Sequence, residues 1–259
     1  MKIASNGIRL HVEDIGRGEP TLVFLHYWGG SARTWRHVTS RLAPSFRTVA
    51  LDHRGWGHSD APSDGYALAD MADDAAGVIA ALDLRRYVLV GHSMGGKVAQ
   101  LLASRRPSGL AGLVLVAPSP PQPMAMPGDA REQMAGAYAT RETVGMVIDH
   151  VLTAKALAPE DREQVIEDSL RGAPAAKVAW PQSTSLEDIS DWVGSVNVPT
   201  LVVAGELDRV DSVDLLKTTL VPRIAGATLH VLAGIGHLSM LEAPDDVARL
   251  VAGFASGLY

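Results

Sequence analysis

Tyr87-Val88-Leu89-Val90-Gly91-His92-Ser93-Met94-Gly95-Gly96-Lys97-Val98-Ala99-Gln100 is an apolar, β-rich run that breaks into G-x-S-x-G and resumes at once as a helix former. It reads as a strand, a very sharp turn and a helix. Gly91 and Gly95 flank Ser93 because strand and helix must pass close together there, where a Cβ would collide. The serine hydroxyl is then presented at a strand end. The amide of Met94 falls in the first turn of the helix, where unpaired N–H groups and the macrodipole favour negative charge. Met94 N–H is therefore a candidate oxyanion donor beside a candidate nucleophile. The bland alternative, a serine that merely caps its helix, explains neither glycine.

The same alternation extends outward from this turn. Residues 8–13 alternate apolar and polar, as a half-solvated antiparallel edge strand does, and Thr21–Leu25 is a continuous apolar run suited to a strand covered on both faces. A helix over 31–42 with Ser31 as its cap, a strand over 46–51 and the glycine-rich loop 52–60 follow. From Leu68 the positions Met71, Ala75, Val78, Ile79 and Leu82 keep helical spacing, with Asp70, Asp73 and Asp74 placed on the polar side. Pro107 ends the helix after Ser93, and Leu110–Val116 is the next buried strand. Regular alternation of this kind predicts a mostly parallel, doubly wound sheet.

The pattern breaks at Pro118-Ser119-Pro120-Pro121-Gln122-Pro123, and up to about Asn197 only helices are legible. One carries Val144, Val147, Ile148, Val151 and Leu152; another opens at Pro159 and stops near Gly172; Ser185-Leu186-Glu187-Asp188 resembles a capping box before a third. The expected organisation is a core of residues 1–118 and 198–259 with a helical cap, or lid, of 119–197 inserted after the sixth strand. The sheet resumes at 200–204, then Thr228–Leu232, with a last helix from about Asp245.

Composition narrows the function. A chain of 259 residues with 47% hydrophobic content can bury one large α/β core. With 23 basic against 29 acidic residues and no basic cluster, nucleic acid is an unexpected partner. No apolar leader and no stretch of spanning length are visible, so a soluble, cytoplasmic protein without membrane contact is expected. The absence of cysteine excludes a thiolate nucleophile, disulfides and Cys-ligated zinc together. The nine histidines form no carboxylate-supported cluster, and no dinucleotide fingerprint occurs, so neither metal nor cofactor is expected.

A serine hydroxyl becomes a useful nucleophile only when a base stands within hydrogen-bond reach and a third group orients that base. Asp208, in Gly205-Glu206-Leu207-Asp208, follows one strand, and His237, in Gly234-Ile235-Gly236-His237, follows the last. In a parallel sheet the C-terminal strand ends share one edge, so Ser93, Asp208 and His237 converge although far apart in sequence. Glu206 and Asp211 are local rivals for the acid.

With these motifs in place the chain resembles α/β-hydrolase fold proteins of the esterase, lactonase and cofactor-free perhydrolase group over nearly its whole length. Gly91-His92-Ser93-Met94-Gly95-Gly96 matches the nucleophile elbow, and Asp52-His53-Arg54-Gly55-Trp56-Gly57-His58-Ser59 matches the D-x-R-G-x-G-x-S loop. Gly205 to Asp208 match the acid segment, and Gly236-His237 with Glu242 and Pro244 the histidine segment. The chain order Ser, Asp, His is that of the family. The resemblance implies an acyl-enzyme on Ser93, His237 as base, Asp208 as its orienting acid, and an oxyanion hole from the amides of Met94 and Trp28. The family's H-G-x-x-G is here His26-Tyr27-Trp28-Gly29-Gly30, with Tyr27 in the glycine position. His26 and His92 are expected to support the site through hydrogen bonds. Tyr27, Trp28, Met124, Met146, Trp180 and Leu238 are the expected substrate lining, with Met126, Met134 and Trp192 as further apolar candidates. The expected partner is a small-molecule ester or lactone; perhydrolysis and C–C hydrolysis of activated ketones use the same motifs. Some proteins of this fold keep the triad but act as small-molecule receptors, which turnover would distinguish.

Overall fold

The computed structural model describes residues 1–258. The chain opens with a hairpin of β1 (Lys2–Ser5) and β2 (Ile8–Ile15), turned by Asn6 and Gly7, both at positive φ. β1, not the expected 8–13 segment, is therefore the edge of the sheet. β3 (Thr21–Leu25) is buried at every position, and Ser31 caps a short 3₁₀ turn that runs into α1 (Arg36–Leu42). β4 (Thr48–Leu51), α2 (Leu68–Ala81), β5 (Tyr87–His92), α3 (Met94–Ser104) and β6 (Leu110–Val116) complete the first part of the core. Between β6 and the next strand lie α4 (Gly128–Ala135), α5 (Arg141–Val147) with a π turn after it, α6 (Pro159–Arg171), α7 (Pro174–Gln182) and the short α8 (Ser190–Val193). β7 (Thr200–Gly205), α9 (Val213–Thr219), β8 (Thr228–Leu232), α10 (Ser239–Glu242) and α11 (Pro244–Ser256) close the chain.

The eight strands form one sheet in the order β1-β2-β4-β3-β5-β6-β7-β8. Only the β1–β2 and β2–β4 pairs are antiparallel; from β4 onward every pair is parallel. α1 packs with α11, and α2 with α3, and the central strands β3, β5 and β7 are buried at every position, as in a sheet covered on both faces. Parallel strands place their C-terminal ends on one edge, which therefore receives the loops after β3, β5, β7 and β8.

Two expectations about polar residues are corrected. Asp74 lies inside α2's buried face rather than on its polar side, because the Arg54 guanidinium reaches it with two bonds of 2.7 Å. A buried carboxylate held this way is matched in charge and geometry, whereas breaking either partner would strand a charge in the core. Ser185 caps no helix: it sits in a 3₁₀ turn, Asp188 instead accepts from Ser190 N–H at 2.9 Å, and Glu187 accepts from Leu68 N–H at the start of α2. No helix among the described residues is long and apolar enough to cross a membrane.

Candidate active site

Ser93 sits between β5 and α3 with φ 52° and ψ −117°, a conformation that costs a non-glycine residue on the order of 1–3 kcal/mol. The surrounding backbone enforces it. Ser93 N–H reaches the carbonyls of Val116 and Ala117 at 3.3 and 3.2 Å, while the Ser93 carbonyl accepts from the amides of Lys97 and Ser119. A Cβ on Gly91 would stand 2.4 Å from the Gly95 carbonyl oxygen, and one on Gly95 2.5 Å from that of His26. The elbow therefore admits no larger residue at either place.

Asp208 follows β7 and His237 follows β8, and Asp208 Oδ2 lies 2.8 Å from His237 Nδ1. Its other oxygen accepts from the amides of Val210 and Asp211 at 2.8 and 3.1 Å, so the carboxylate is fixed from both sides. With Nδ1–H directed at Asp208, Nε2 of a neutral His237 is the free, basic nitrogen. Burial opposes charge on His237, but the adjacent Asp208 together with Asp211 and Glu242 outweighs it, and the imidazole is held above its ordinary pKa. Glu206 is not within this arrangement; it accepts from Gly234 N–H at 2.8 Å and braces the loop ahead of the histidine. Asp211 is fully buried, with Ser119 Oγ at 3.4 Å, and burial pushes its carboxyl up to about 7. His92 Nε2 bonds the His237 carbonyl at 3.0 Å, and Glu242 accepts from Gly236 N–H at 2.8 Å, so the histidine loop is anchored from both ends. Ser93 and His237 face one cavity, in which the serine hydroxyl makes no hydrogen bond among the described residues.

The turn from His26 to Gly30 departs from glycine at Tyr27 without strain, since Tyr27 is not among the residues at positive φ. Its ring is buried beside that of His92, with centroids 5.2 Å apart. The Tyr27 carbonyl accepts from Gly30 N–H at 3.0 Å and lies 2.7 Å from His26 Nδ1. His26 Nε2 in turn accepts from His53 N–H at 2.9 Å. The glycine-rich loop supports the turn a second time, because Asp52 Oδ1 accepts from Ala32 N–H at 2.6 Å. Neither the Trp28 nor the Met94 N–H is engaged by any acceptor among the described residues.

Ser93 and His237 open into a cavity of about 360 Å³ whose walls are almost wholly apolar. Tyr27, Trp28, Met124 and Trp180 line it, as do Met126 and Met134. Met146 and Leu238 do not. Met146 is 58% exposed, because on α5 it points away from the stripe of Val144 and Val147. Leu238 is fully buried, with its amide bonded to the Leu152 carbonyl, and it turns into the core immediately after His237. In their place the structure brings Tyr138, Val147, Val151 and Leu152 to the wall, with Arg209 as the single charged lining residue. Helical periodicity could have flagged Val147, Val151 and Leu152; nothing in the local sequence distinguishes Tyr138. Trp192 is exposed and does not line the cavity. No group of three or more acidic or histidine side chains among the described residues is placed to hold a metal ion.

The family model described as "Alpha/beta hydrolase family" matches residues 22–250. The chain is 30% identical to the 2-hydroxymuconate semialdehyde hydrolase of Pseudomonas sp. (strain CF600), with 98% of this chain and 92% of that protein covered. The esterase EaEST from Exiguobacterium antarcticum superposes at a TM-score of 0.91 and 25% identity, with 98% of each chain covered. Est816, described as an N-acyl homoserine lactone degrading enzyme, superposes at 0.87 and 29% identity, covering 98% of this chain and all of its own.

Proposed function

Because this chain belongs to the alpha/beta hydrolase family and is a hydrolase by that membership, we propose that it cleaves small apolar carboxylic esters, lactones included, through an acyl-enzyme on Ser93. The observation that carries this reading is the 2.8 Å contact of Asp208 with His237, which lines the same apolar cavity as Ser93. Ser93 Oγ attacks the carbonyl carbon while His237 Nε2 takes its proton. The oxyanion is received by the Trp28 and Met94 amides, whose dipoles are already oriented before charge develops. Collapse expels the alcohol, which takes the proton back from His237. Water then repeats the sequence on the acyl-enzyme, with His237 again as base, and the carboxylic acid leaves. Every proton in the cycle passes through His237, so the reaction calls for no metal or cofactor.

Residues 119–197 act as the cap, and their methionines give the acyl pocket walls that adapt to differing chains. An uncharged, apolar acyl group fits such walls; a carboxylate would meet only Arg209, whose guanidinium already donates to the His150 carbonyl at 2.8 Å. The similarity to an esterase and to an N-acyl homoserine lactone degrading enzyme supports the ester and lactone reading. Steady-state assays on p-nitrophenyl esters of rising chain length, N-acyl homoserine lactones and a vinylogous keto acid test it. The expected result is kcat/KM that rises from acetate to a medium chain and then falls. Turnover of the keto acid alone would move the reaction to C–C hydrolysis, and one slow burst per molecule on every substrate would indicate a receptor.

A further inference from the structure

Trp28 stands where the core meets the helical insertion. Its carbonyl accepts from the Tyr138 hydroxyl at 3.0 Å, and the next carbonyl, that of Gly29, accepts from Ser169 Oγ at 3.0 Å. Neither donor belongs to the α/β core: Tyr138 follows α4, and Ser169 lies in α6. The Tyr138 ring is buried against the Trp28 indole, with centroids 4.2 Å apart. It also closes over Gly29, which has φ +100° and whose added Cβ would come within 2.4 Å of the tyrosine ring. Tyr138 is itself fixed, since Lys177 Nζ donates to its carbonyl at 3.0 Å and to that of Leu170 at 2.9 Å. The same ring faces the substrate cavity.

From these contacts we infer that Tyr138 and Ser169 are positioning residues for the oxyanion turn, so that the insertion completes the catalytic site as well as covering it. The inference rests on the Trp28 amide being an oxyanion donor in a serine hydrolase. The direction of an N–H is set by the peptide groups on either side of it. Before Trp28, the Tyr27 carbonyl is held by His26 and by Gly30 N–H, both from the core. After it, the carbonyls of Trp28 and Gly29 are held by the insertion alone. An insertion that lifts, or a substrate that displaces the Tyr138 ring, leaves half of the turn unanchored. Oxyanion stabilisation depends on donors placed to a fraction of an ångström, so the loss falls on the transition state more than on substrate binding.

The test compares Tyr138→Phe and Ser169→Ala with wild type and with Ser169→Thr, which keeps the hydroxyl. Three readouts are taken: steady-state kinetics on one good p-nitrophenyl ester, inhibition by an alkyl trifluoromethyl ketone, and amide hydrogen exchange across residues 27–30. For Tyr138→Phe, kcat should fall about ten- to a hundredfold, the scale of a slightly misplaced catalytic group, with KM within about twofold. Ketone affinity should fall in parallel, exchange at Gly30 should quicken, and Ser169→Thr should stay close to wild type. Wild-type kcat and unchanged exchange in both hydroxyl-deleted variants would overturn the inference. A wild-type protein inert to ester and ketone would instead overturn the hydrolase reading, and exchange would then decide the anchoring by itself: faster at Gly30 in Tyr138→Phe upholds it, and unchanged refutes it.

Discussion

His26 Nδ1 lies 2.7 Å from the carbonyl oxygen of Tyr27, the acceptor half of the same peptide group whose donor half is the Trp28 N–H. Because Nε2 accepts from the His53 amide, Nδ1 must carry the ring hydrogen, and the imidazole serves as a neutral donor. Burial is the main cause that pulls its pKa down to about 4, which keeps the ring neutral through the working range. A hydrogen bond to the carbonyl polarises the amide beyond it, so the chain His53, His26, Tyr27 ends on the proposed oxyanion donor.

His26→Ala should therefore lower kcat about tenfold or more while leaving KM near wild type, as expected for a weakened oxyanion contact. It should also lower the melting temperature, because the buried His53 amide loses its acceptor at a cost of about 1–3 kcal/mol. Kinetics and a thermal melt on the same preparation check both. A stable variant with unimpaired kcat would remove His26 from the site.

Asp208→Asn should cut kcat by roughly ten-thousandfold, since an amide can hold the wrong imidazole tautomer toward Ser93. Glu206→Gln should cost far less, because Glu206 braces the Gly234 amide and does not touch His237. Steady-state kinetics on the two variants rank them, and the reverse order would transfer the acid role to Glu206.

The residues whose chemistry demands one side-chain type were legible in the sequence. Gly91 and Ser93 stand out as a strand–turn–helix motif and Asp208 and His237 as residues just past strand ends, and alternation of strand and helix puts the loops that carry them on one edge. Asn6-Gly7 is a hairpin signal that would have exposed β1, but four residues with only Ile3 strongly apolar gave too little periodicity to notice. The walls of the cavity were less legible, because many apolar residues fill such space equally well. Met146 has the residue type of a cavity wall, yet its helical position turns it to solvent. Residue type alone would place Lys97 in solvent. Its helix is covered on all sides, so its ammonium is buried and donates to the Gln122 carbonyl at 2.9 Å, and burial brings its pKa down to about 8. Tyr138 carried no signal at all, since its role is set by the tertiary approach of the insertion to Gly29.

The acid limb of kcat/KM should inflect above the ordinary histidine value of about 6.5. Although burial favours the neutral ring, Asp208, Asp211 and Glu242 together outweigh it, and the proposed reaction needs Nε2 unprotonated. The sign for stability is opposite. A raised histidine pKa gives a contribution that is present below the unfolded value and is lost as pH rises through the folded one, so activity grows where that contribution disappears. A pH–rate profile checks the first statement; an inflection below 6 would contradict it.

Asp211→Asn should flatten the pH dependence of stability. Burial holds the folded carboxyl protonated up to about 7, whereas the unfolded chain ionises near the ordinary value of about 3.9. The folded state therefore loses stability between those two pH values, and a neutral isostere does not. Thermal melts should show the variant gaining on wild type from pH 5 to pH 8, by a few kcal/mol at most given about 1.4 kcal/mol per pKa unit. Parallel curves for the two proteins would show that Asp211 is already ionised at pH 5.

Trapping the covalent intermediate on Ser93 is the most direct measurement. Wild type and Ser93→Ala are treated with an alkyl fluorophosphonate, their intact masses are recorded, and the labelled peptide is sequenced. Wild type should gain one phosphonyl group on Ser93, while Ser93→Ala should gain none, keep its melting temperature, and lose kcat by on the order of a millionfold. Label on another residue, or a folded Ser93→Ala that retains more than about a hundredth of wild-type turnover, far above the residual rate expected once a triad serine is gone, would contradict an acyl-enzyme at Ser93.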